Sequence, residues 1–206
     1  SVAQEVFMAT QSPIFGGQYG INLGLLSVLN TRYITYSPGL VIPGLTPVFS
    51  STNGGVVYEN EHVLPKAFFV DSVLTVDSPQ EAYDLLFADR TDFYSTAIVE
   101  NYNPTVNSDS TSTVKVSNYT GAEMAFEIER SLPGFLVISE IYYPDGWIAL
   151  LNGEEIPIHK TNYLLRGVEI PSGTHTLELD FRPTSFRSEE HTSELQSPCN
   201  LVCRLL

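Results

Sequence analysis

The residues best suited to binding chemistry stand in the segment "SEIYYPDGW", which holds Tyr142, Tyr143 and the only tryptophan, Trp147. Aromatic side chains with a polar tip can stack on the apolar face of a sugar ring and bind its hydroxyl groups. Glu140 is the second residue of this segment, and Arg166 is a cation that could pair with it. These five residues form the candidate carbohydrate-binding set.

Each of them also has a structural interpretation. A lone tryptophan after a turn more often packs into a core, where its burial stabilises the fold by about 4–6 kcal/mol at most. Glu140 stands in an apolar strand, so a core-facing carboxylate would need a cationic partner, for which Arg166 or Lys160 would serve. A ligand contact and an exposed strand edge remain open for Glu140.

Other residues offer little for catalysis. Glu59 and Glu61 would point to the same side of an extended segment, a geometry compatible with acid and base chemistry, but a solvated face explains them more simply. His62, His159 and His175 stand singly, without a second residue at metal-ligand spacing. We therefore predict no catalytic residue, no metal site and no cofactor in this chain.

Both cysteines lie in the last twenty residues, "RSEEHTSELQSPCNLVCRLL". Cys199 and Cys203 could form a helical half-site for a metal or a disulfide, and the apolar residues around them a short amphipathic helix. Back-translated, however, "RSEEHTSELQS" resembles a common sequencing adapter. We therefore interpret residues 187–206 as a non-native tail and leave them out of the fold prediction.

The composition favours an acidic domain. The chain has 24 acidic and 10 basic residues and a formal net charge of −14. Nucleic acid is not expected as a partner, because so few cations cannot neutralise its phosphates. Without the tail no cysteine remains, which suits an extracytoplasmic setting. The sequence shows no long apolar run and no signal peptide, and we expect a fragment of a longer protein.

The first half of the chain predicts short elements. Apolar residues at helical spacing favour a helix over 21–29, and "RYITY" and "GVVYEN" are typical of strands. The apolar run 67–76 predicts one buried strand. The sequence "SPQE" at 78–81 then supplies an N-cap serine, a proline at the first helical position and a glutamate that can bond back to the cap. With a strand over 95–100 the unit is strand, helix, strand.

The second half predicts antiparallel sheet. "GAEMAFEIER" alternates apolar and polar residues, "GFLVISEIYY" is apolar on both faces, and Asn152-Gly153 is a strong hairpin signal. We predict a mostly β fold with a small α/β part: an antiparallel, jelly-roll-like β-sandwich preceded by a strand-helix-strand unit. The predicted division is an irregular segment with one short helix and short strands (1–63), the strand-helix-strand unit and linker (64–106), the sandwich (107–186) and the tail (187–206).

Several of these segments together resemble one family. The string "SEIYYPDGW", the hairpin "LNGEE", the segment "NYLLRGVEIPSGTH" and, further upstream, "LNTRYI" and "ENEHVLPKAFFV" resemble motifs of the C-terminal extracytoplasmic region of the bacterial YfhO membrane-protein family. The resemblance runs discontinuously over most of residues 14–186. The chain departs from the family pattern at Asp145, which is inserted, at Asn152, which replaces an aspartate, and at Lys66, which replaces an arginine.

The resemblance implies more than the residues show. Members of the family are polytopic membrane proteins with a glycosyltransferase-C-like architecture, and some add sugars from lipid-linked donors to cell-envelope polymers. It implies a location at the bacterial cell membrane, on the extracytoplasmic side, with the protein's own membrane-embedded region and a glycan or lipid-linked sugar as partners. The parent protein would be a membrane glycosyltransferase, and this part of it would position acceptor or donor without catalysing transfer.

Two other functions fit the same residues. A stand-alone, secreted carbohydrate-binding β-sandwich would use the same aromatic side chains. A structural scaffold domain would hold a membrane assembly together and bind no sugar. The sequence does not name the sugar donor, the acceptor or the oligomeric state.

Overall fold

The structure is a computed structural model that describes residues 21–87 and 91–183. Within these ranges the elements are two helices and fourteen strands: α1 Leu23–Val28, α2 Pro79–Phe87, β1 Tyr33–Tyr36, β2 Leu45–Ser50, β3 Val56–Asn60, β4 Ala67–Phe69, β5 Ser72–Val76, β6 Thr96–Glu100, β7 Thr113–Tyr119, β8 Glu123–Arg130, β9 Gly134–Ile141, β10 Trp147–Leu151, β11 Glu154–Ile156, β12 His159–Thr161, β13 Leu165–Ile170 and β14 Gly173–Phe181. The predicted mostly β fold with a small α/β part is confirmed.

Two sheets pack face to face and form the larger part of the fold. One has five strands in the order β11-β10-β14-β8-β7, and the other has six in the order β4-β9-β13-β12-β6-β5. Their shared core takes Met124, Phe126 and Ile128 from β8 and Leu177 and Leu179 from β14. These are the inward positions that the alternating sequence predicts, because successive side chains of a strand point to opposite faces.

The six-stranded sheet is covered on its other face as well. Leu25 and Val28 of α1 and Ala82, Leu86 and Phe87 of α2 pack there in a second core. Strand β9 supplies both cores: Phe135 and Val137 face the helices, and Leu136 and Ile138 face the five-stranded sheet. The prediction of a central strand that is apolar on both faces is confirmed.

The strand-helix-strand unit forms as predicted, with β5 and β6 parallel. Ser78 Oγ accepts a hydrogen bond from the N–H of Glu81 at 3.2 Å, which satisfies a free donor at the start of α2. The Glu81 carboxylate reaches the N–H of Asp77 at 3.2 Å, one residue before the cap on which it was expected. The helix cap therefore forms, but the glutamate bonds to the residue before the N-cap instead of the N-cap itself.

The prediction of one strand over 67–76 is wrong, because the chain changes neighbours in the middle of this run. The N–H of Val70 bonds to the carbonyl of Phe135 at 3.3 Å, whereas the N–H of Asp71 bonds to that of Ser95 at 2.7 Å. Strand β4 pairs with β9, and β5 pairs with β6 at the opposite edge of the sheet. Since only two residues separate β4 from β5, the six-stranded sheet curls until its edges meet at this point.

A small sheet in the order β1-β3-β2 packs on α1 through its own core. Strands β1 and β3 match the two strands predicted there. Strand β2 was missed, because Pro47 and a register shift between Pro47 and Phe49 interrupt its pairing and most of its residues are exposed. An irregular edge strand of this kind carries no alternating apolar signal.

The predicted hairpin at Asn152-Gly153 joins β10 and β11. Both turn residues have positive φ, 53° and 87°, which Asn and Gly tolerate best. The strand expected after the turn divides at Pro157, and its second half, β12, joins the six-stranded sheet. The division of the chain into segments stays a prediction; the six-stranded sheet takes strands from both sides of residue 106.

Gly167 provides a test of the packing between β13 and its neighbours. A Cβ atom at this position would overlap the ring of Phe135 and Oγ1 of Thr161, both buried. We expect Gly167→Ala to lower the free energy of unfolding by about 1–3 kcal/mol through overpacking. Urea denaturation of the whole chain measures this. Gly121→Ala is the matched control, because nothing lies within 4 Å of its Cβ position, and an equal loss in both variants would contradict the packing described here.

Candidate functional site

The candidate residues meet at one end of the sandwich, where β9 ends and β10 and β13 begin. The turn between β9 and β10 carries Tyr142 and Tyr143, and Gly146 in this turn has a φ of 104°, a conformation that strains other residues. Trp147 starts β10 and lies opposite Phe181 of β14. Arg166, in β13, completes the group.

Glu140 lies in a bulge of β9. Leu165 pairs with Ile141 and Arg166 pairs with Ile138, so Ser139 and Glu140 are extra residues on β9. Such bulges bend a strand and re-aim its side chains. Here Ser139 turns inward and its Oγ donates to the carbonyl of Val28 at 2.7 Å. Glu140 has the same facing as Ile138 and lies at the edge of the sandwich, between Lys66 beside β4 and Tyr119 of β7.

Glu140 is bound by Lys66 and Tyr119. Lys66 Nζ forms an ion pair with Glu140 Oε1, and the Tyr119 hydroxyl donates to the same oxygen. Burial pushes the pKa of Glu140 up, but the hydrogen bonds from Lys66 and Tyr119 outweigh it and hold the pKa below its usual value. The expectation that Arg166 or Lys160 would be the direct partner is wrong.

The two expected partners have other roles. Lys160 pairs with Glu100 at 2.8 Å, across the strands β12 and β6. Arg166 acts on Glu140 only through its charge. Its Nε donates to the carbonyl of Ile141 at 3.0 Å, and its guanidinium carbon lies 3.9 Å from the centre of the Trp147 ring. The arginine is 3% exposed, and burial lowers its pKa to about 10 against the opposing charge of Glu140.

Trp147 and Tyr143 differ in how much of their ring surface is exposed. Arg166 covers one face of Trp147, and the Phe181 ring packs beside it at 5.3 Å between centres. Trp147 is therefore partly core, and its free surface is small. Tyr143 is 53% exposed and approaches Phe181 only at 6.3 Å. Tyr143 is thus the better stacking surface of the two.

A cavity of about 150 Å³ joins these side chains. Its wall includes Tyr142, Tyr143, Trp147 and Arg166, four of the five candidate residues, and Glu155 from β11. Glu140 is not part of the wall. The cavity thus combines aromatic surface, a guanidinium group and a carboxylate, and it has room for roughly five water molecules at about 30 Å³ each.

Sequence reasoning missed a second cavity of about 390 Å³. It shares Ile156 and Pro157 with the first and is lined mainly by apolar residues and prolines. The ring of Tyr102 stacks on His159 at 3.7 Å, and its hydroxyl donates to Glu169 at 2.8 Å. Burial lowers the pKa of His159, which favours the neutral imidazole. No sequence signal joins these residues, because they come from three distant segments.

The remaining candidates for chemistry have structural partners. Glu59 forms an ion pair with Arg32 at 3.1 Å, and Glu61 accepts a hydrogen bond from the hydroxyl of Thr46. The ring of His175 bonds to Asn152 at 2.9 Å and to the carbonyl of Ser172 at 3.1 Å, where it joins two turns. Residues 21–87 and 91–183 contain no group of acidic, histidine or cysteine side chains that could hold a metal. Cys199 and Cys203 lie outside the described residues.

Fold and site together define a β-rich domain with an aromatic and guanidinium-lined cavity. The family comparison matches the model of the bacterial membrane protein YfhO to residues 72–189, more than half of the 206-residue chain. The chain belongs to this family. The matched range runs from β5 through β14 and includes the cavity. Searches of curated proteins and of solved structures found no match. Among the described residues, no helix has the length and apolar character that crossing a membrane requires.

The ion pair of Glu140 provides a test of the site's electrostatics. Because the pKa of Glu140 is lowered on folding, its carboxylate stabilises the fold above about pH 4, and this contribution is lost as the pH falls through the folded pKa. We expect Glu140→Gln to cost about 1–3 kcal/mol at pH 7 and much less near pH 3. Urea unfolding at both pH values measures this, with the exposed Glu178→Gln as control. An equal loss at both pH values would contradict the assignment.

Proposed function

We propose that this chain is the extracytoplasmic domain of a polytopic membrane glycosyltransferase-like protein. In this proposal the domain holds a glycan acceptor, or the sugar of a lipid-linked donor, while transfer is catalysed elsewhere in the parent protein. Its partners are then the protein's own membrane-embedded region and the sugar substrate. Membership of a bacterial membrane-protein family supports the setting.

The observation that carries the proposal is the convergence of side chains on one cavity. Tyr142, Tyr143, Trp147 and Arg166 come from two separate segments, and the fold brings them to the same wall. Glu155 completes the wall with a carboxylate. Sugar sites combine an aromatic surface for the apolar face of the ring with planar polar groups for its hydroxyls, and this cavity offers both.

The proposed roles of the side chains follow from how exposed each one is. Tyr143 presents its ring to solvent and is suited to stack on a sugar. Trp147 and Arg166 hold each other in place, so they form the floor of the cavity and orient the guanidinium. Glu155 stands at an exposed position on the short strand β11 and can accept hydrogen bonds from hydroxyl groups.

The titration of the carboxyl groups supports a binding role. A general acid at neutral pH needs a raised pKa. Among the described residues, the carboxyl groups of Glu140 and Asp109 have pKa values below the usual range, because hydrogen-bond donors stabilise their charged forms. Hydrogen bonds from the Thr111 hydroxyl and the Ser131 N–H lower the pKa of Asp109 to about 2. These groups are stable anions with structural partners.

A scaffold role is the second candidate, and one observation favours it. The guanidinium of Arg166 is stacked on Trp147, and Lys66, Glu140 and Tyr119 bind one another, so much of the polar chemistry serves the fold itself. A scaffold would bind no sugar. Sugar binding by the purified chain therefore separates the two functions.

Tyr143 is the residue on which this test depends. We expect Tyr143→Ala to weaken retention on affinity gels that contain soluble polysaccharides by about three- to tenfold, which corresponds to an aromatic contact of about 0.7–1.4 kcal/mol. Tyr33→Ala is the matched control, because Tyr33 is 55% exposed on the separate three-stranded sheet. A chain that no gel retains, or an equal effect of both substitutions, would favour the scaffold role.

A further inference from the structure

Arg166 carries a buried charge with little compensation. The side chain is 3% exposed, and among the described residues its one hydrogen bond runs from Nε to the carbonyl of Ile141. The atom Nη1 is shielded from solvent and has no hydrogen-bond partner. A buried cation in this state costs free energy, because it has lost water without gaining an anion.

The nearest carboxylate does not supply the missing partner. Glu140 is held by Lys66 and by the Tyr119 hydroxyl, and it reaches Arg166 only through its field. Lys66 and Arg166 together bring two positive charges to this region, and Glu140 brings one negative charge. One positive charge therefore remains among these three groups. Arg166 lines the 150 Å³ cavity, whose wall also carries the carboxylate of Glu155.

Arg130 is a second buried arginine, and it differs from Arg166 in its hydrogen bonds. It is also 3% exposed, and its Nη1 has no partner. Its other nitrogens, however, donate to the carbonyls of Asn107 at 3.0 Å, Pro133 at 3.4 Å and Leu132. Arg130 lies on neither cavity wall described above. Arg166 differs on both counts: it makes fewer hydrogen bonds, and it is one of the residues that line the smaller cavity.

We propose that the cavity is an oxyanion subsite, in which a phosphate or carboxylate group of the ligand binds the guanidinium of Arg166. This inference rests on the proposed function, since it concerns the same cavity, and it narrows the ligand to a negatively charged sugar derivative. Planar guanidinium groups match the geometry of both oxyanions through paired N–H donors. A volume of 150 Å³ admits such a group together with part of a sugar ring.

Glu155 sets the strength of this subsite. Its carboxylate lies on the same wall and repels an anion that enters the cavity. The neighbouring Glu154 is equally exposed, but alternation along the strand turns it to the other face, and it is not on the wall. The chain thus contains a matched pair of carboxylates, one inside the subsite and one outside it.

The test titrates the whole chain with inorganic phosphate, with glucuronate and with uncharged glucose at constant ionic strength. Binding is followed through the NMR signal of the Arg166 Nε–H group. We expect phosphate or glucuronate to shift this signal and glucose to shift it much less. The response to the two anions distinguishes a phosphate ligand from a carboxylate ligand.

Substitutions at Glu155 and Glu154 test the subsite without changing Arg166. We expect Glu155→Gln to tighten anion binding by roughly two- to fivefold through the loss of repulsion, and Glu154→Gln to leave it unchanged. Arg166→Gln should abolish anion binding, read in this variant from the indole N–H signal of Trp147, which lines the same cavity, with the circular dichroism spectrum as the check on folding. If Arg166→Gln does not fold, the pair of glutamate variants still decides the question.

The outcomes separate this inference from the proposed function. If neutral polysaccharides are retained through Tyr143 but neither anion shifts the Arg166 signal, the oxyanion subsite is wrong and the proposed function stands. If an anion shifts the signal and Glu155→Gln strengthens binding while no polysaccharide is retained, the subsite stands and the proposed glycan-positioning role is wrong. Equal anion affinity in the Glu154 and Glu155 variants would overturn the subsite.

Discussion

The structure depends on the burial of β9 on both faces. Phe135 and Val137 pack against the helices, while Leu136 and Ile138 pack against the five-stranded sheet, and all four are fully buried. One strand thus holds the α/β part and the sandwich together through a single backbone. The polar residues of this strand, Ser139 and Glu140, stand together in its bulge, and each has a partner: the carbonyl of Val28 for Ser139 and Lys66 for Glu140.

The bulge connects the fold to the candidate site. Glu140 is one of the two extra residues of β9 before Ile141; it pairs with Lys66, while Arg166 lies opposite Ile138. Arg166 is then left with the carbonyl of Ile141 and the ring of Trp147 as its partners. Arg166 thus keeps a shielded nitrogen, Nη1, without a hydrogen-bond partner, and it lines the smaller cavity.

The placement of polar groups also separates the two cavities. In the larger cavity, each oxygen of the Glu169 carboxylate already accepts a hydrogen bond, one from the Tyr102 hydroxyl and one from the N–H of Thr105. In the smaller one, the cation is the group that lacks a partner. A larger volume alone does not make a better binding site, because an internally satisfied wall offers a ligand few specific contacts. The smaller cavity is therefore the stronger candidate.

The sequence by itself determined the local elements: the capped helix α2, the alternating strand β8, the hairpin at Asn152-Gly153 and the double-sided strand β9. These depend on neighbours along the chain, through turn chemistry and side-chain period. It also indicated the family and grouped Tyr142, Tyr143 and Trp147, which are close in sequence. Only the tertiary structure decided that the run 67–76 divides between two sheet edges, that Lys66 binds Glu140, and that Arg166 covers Trp147. These depend on register and on contacts between distant segments, where a two-residue bulge changes which side chains meet and leaves no trace in the local pattern.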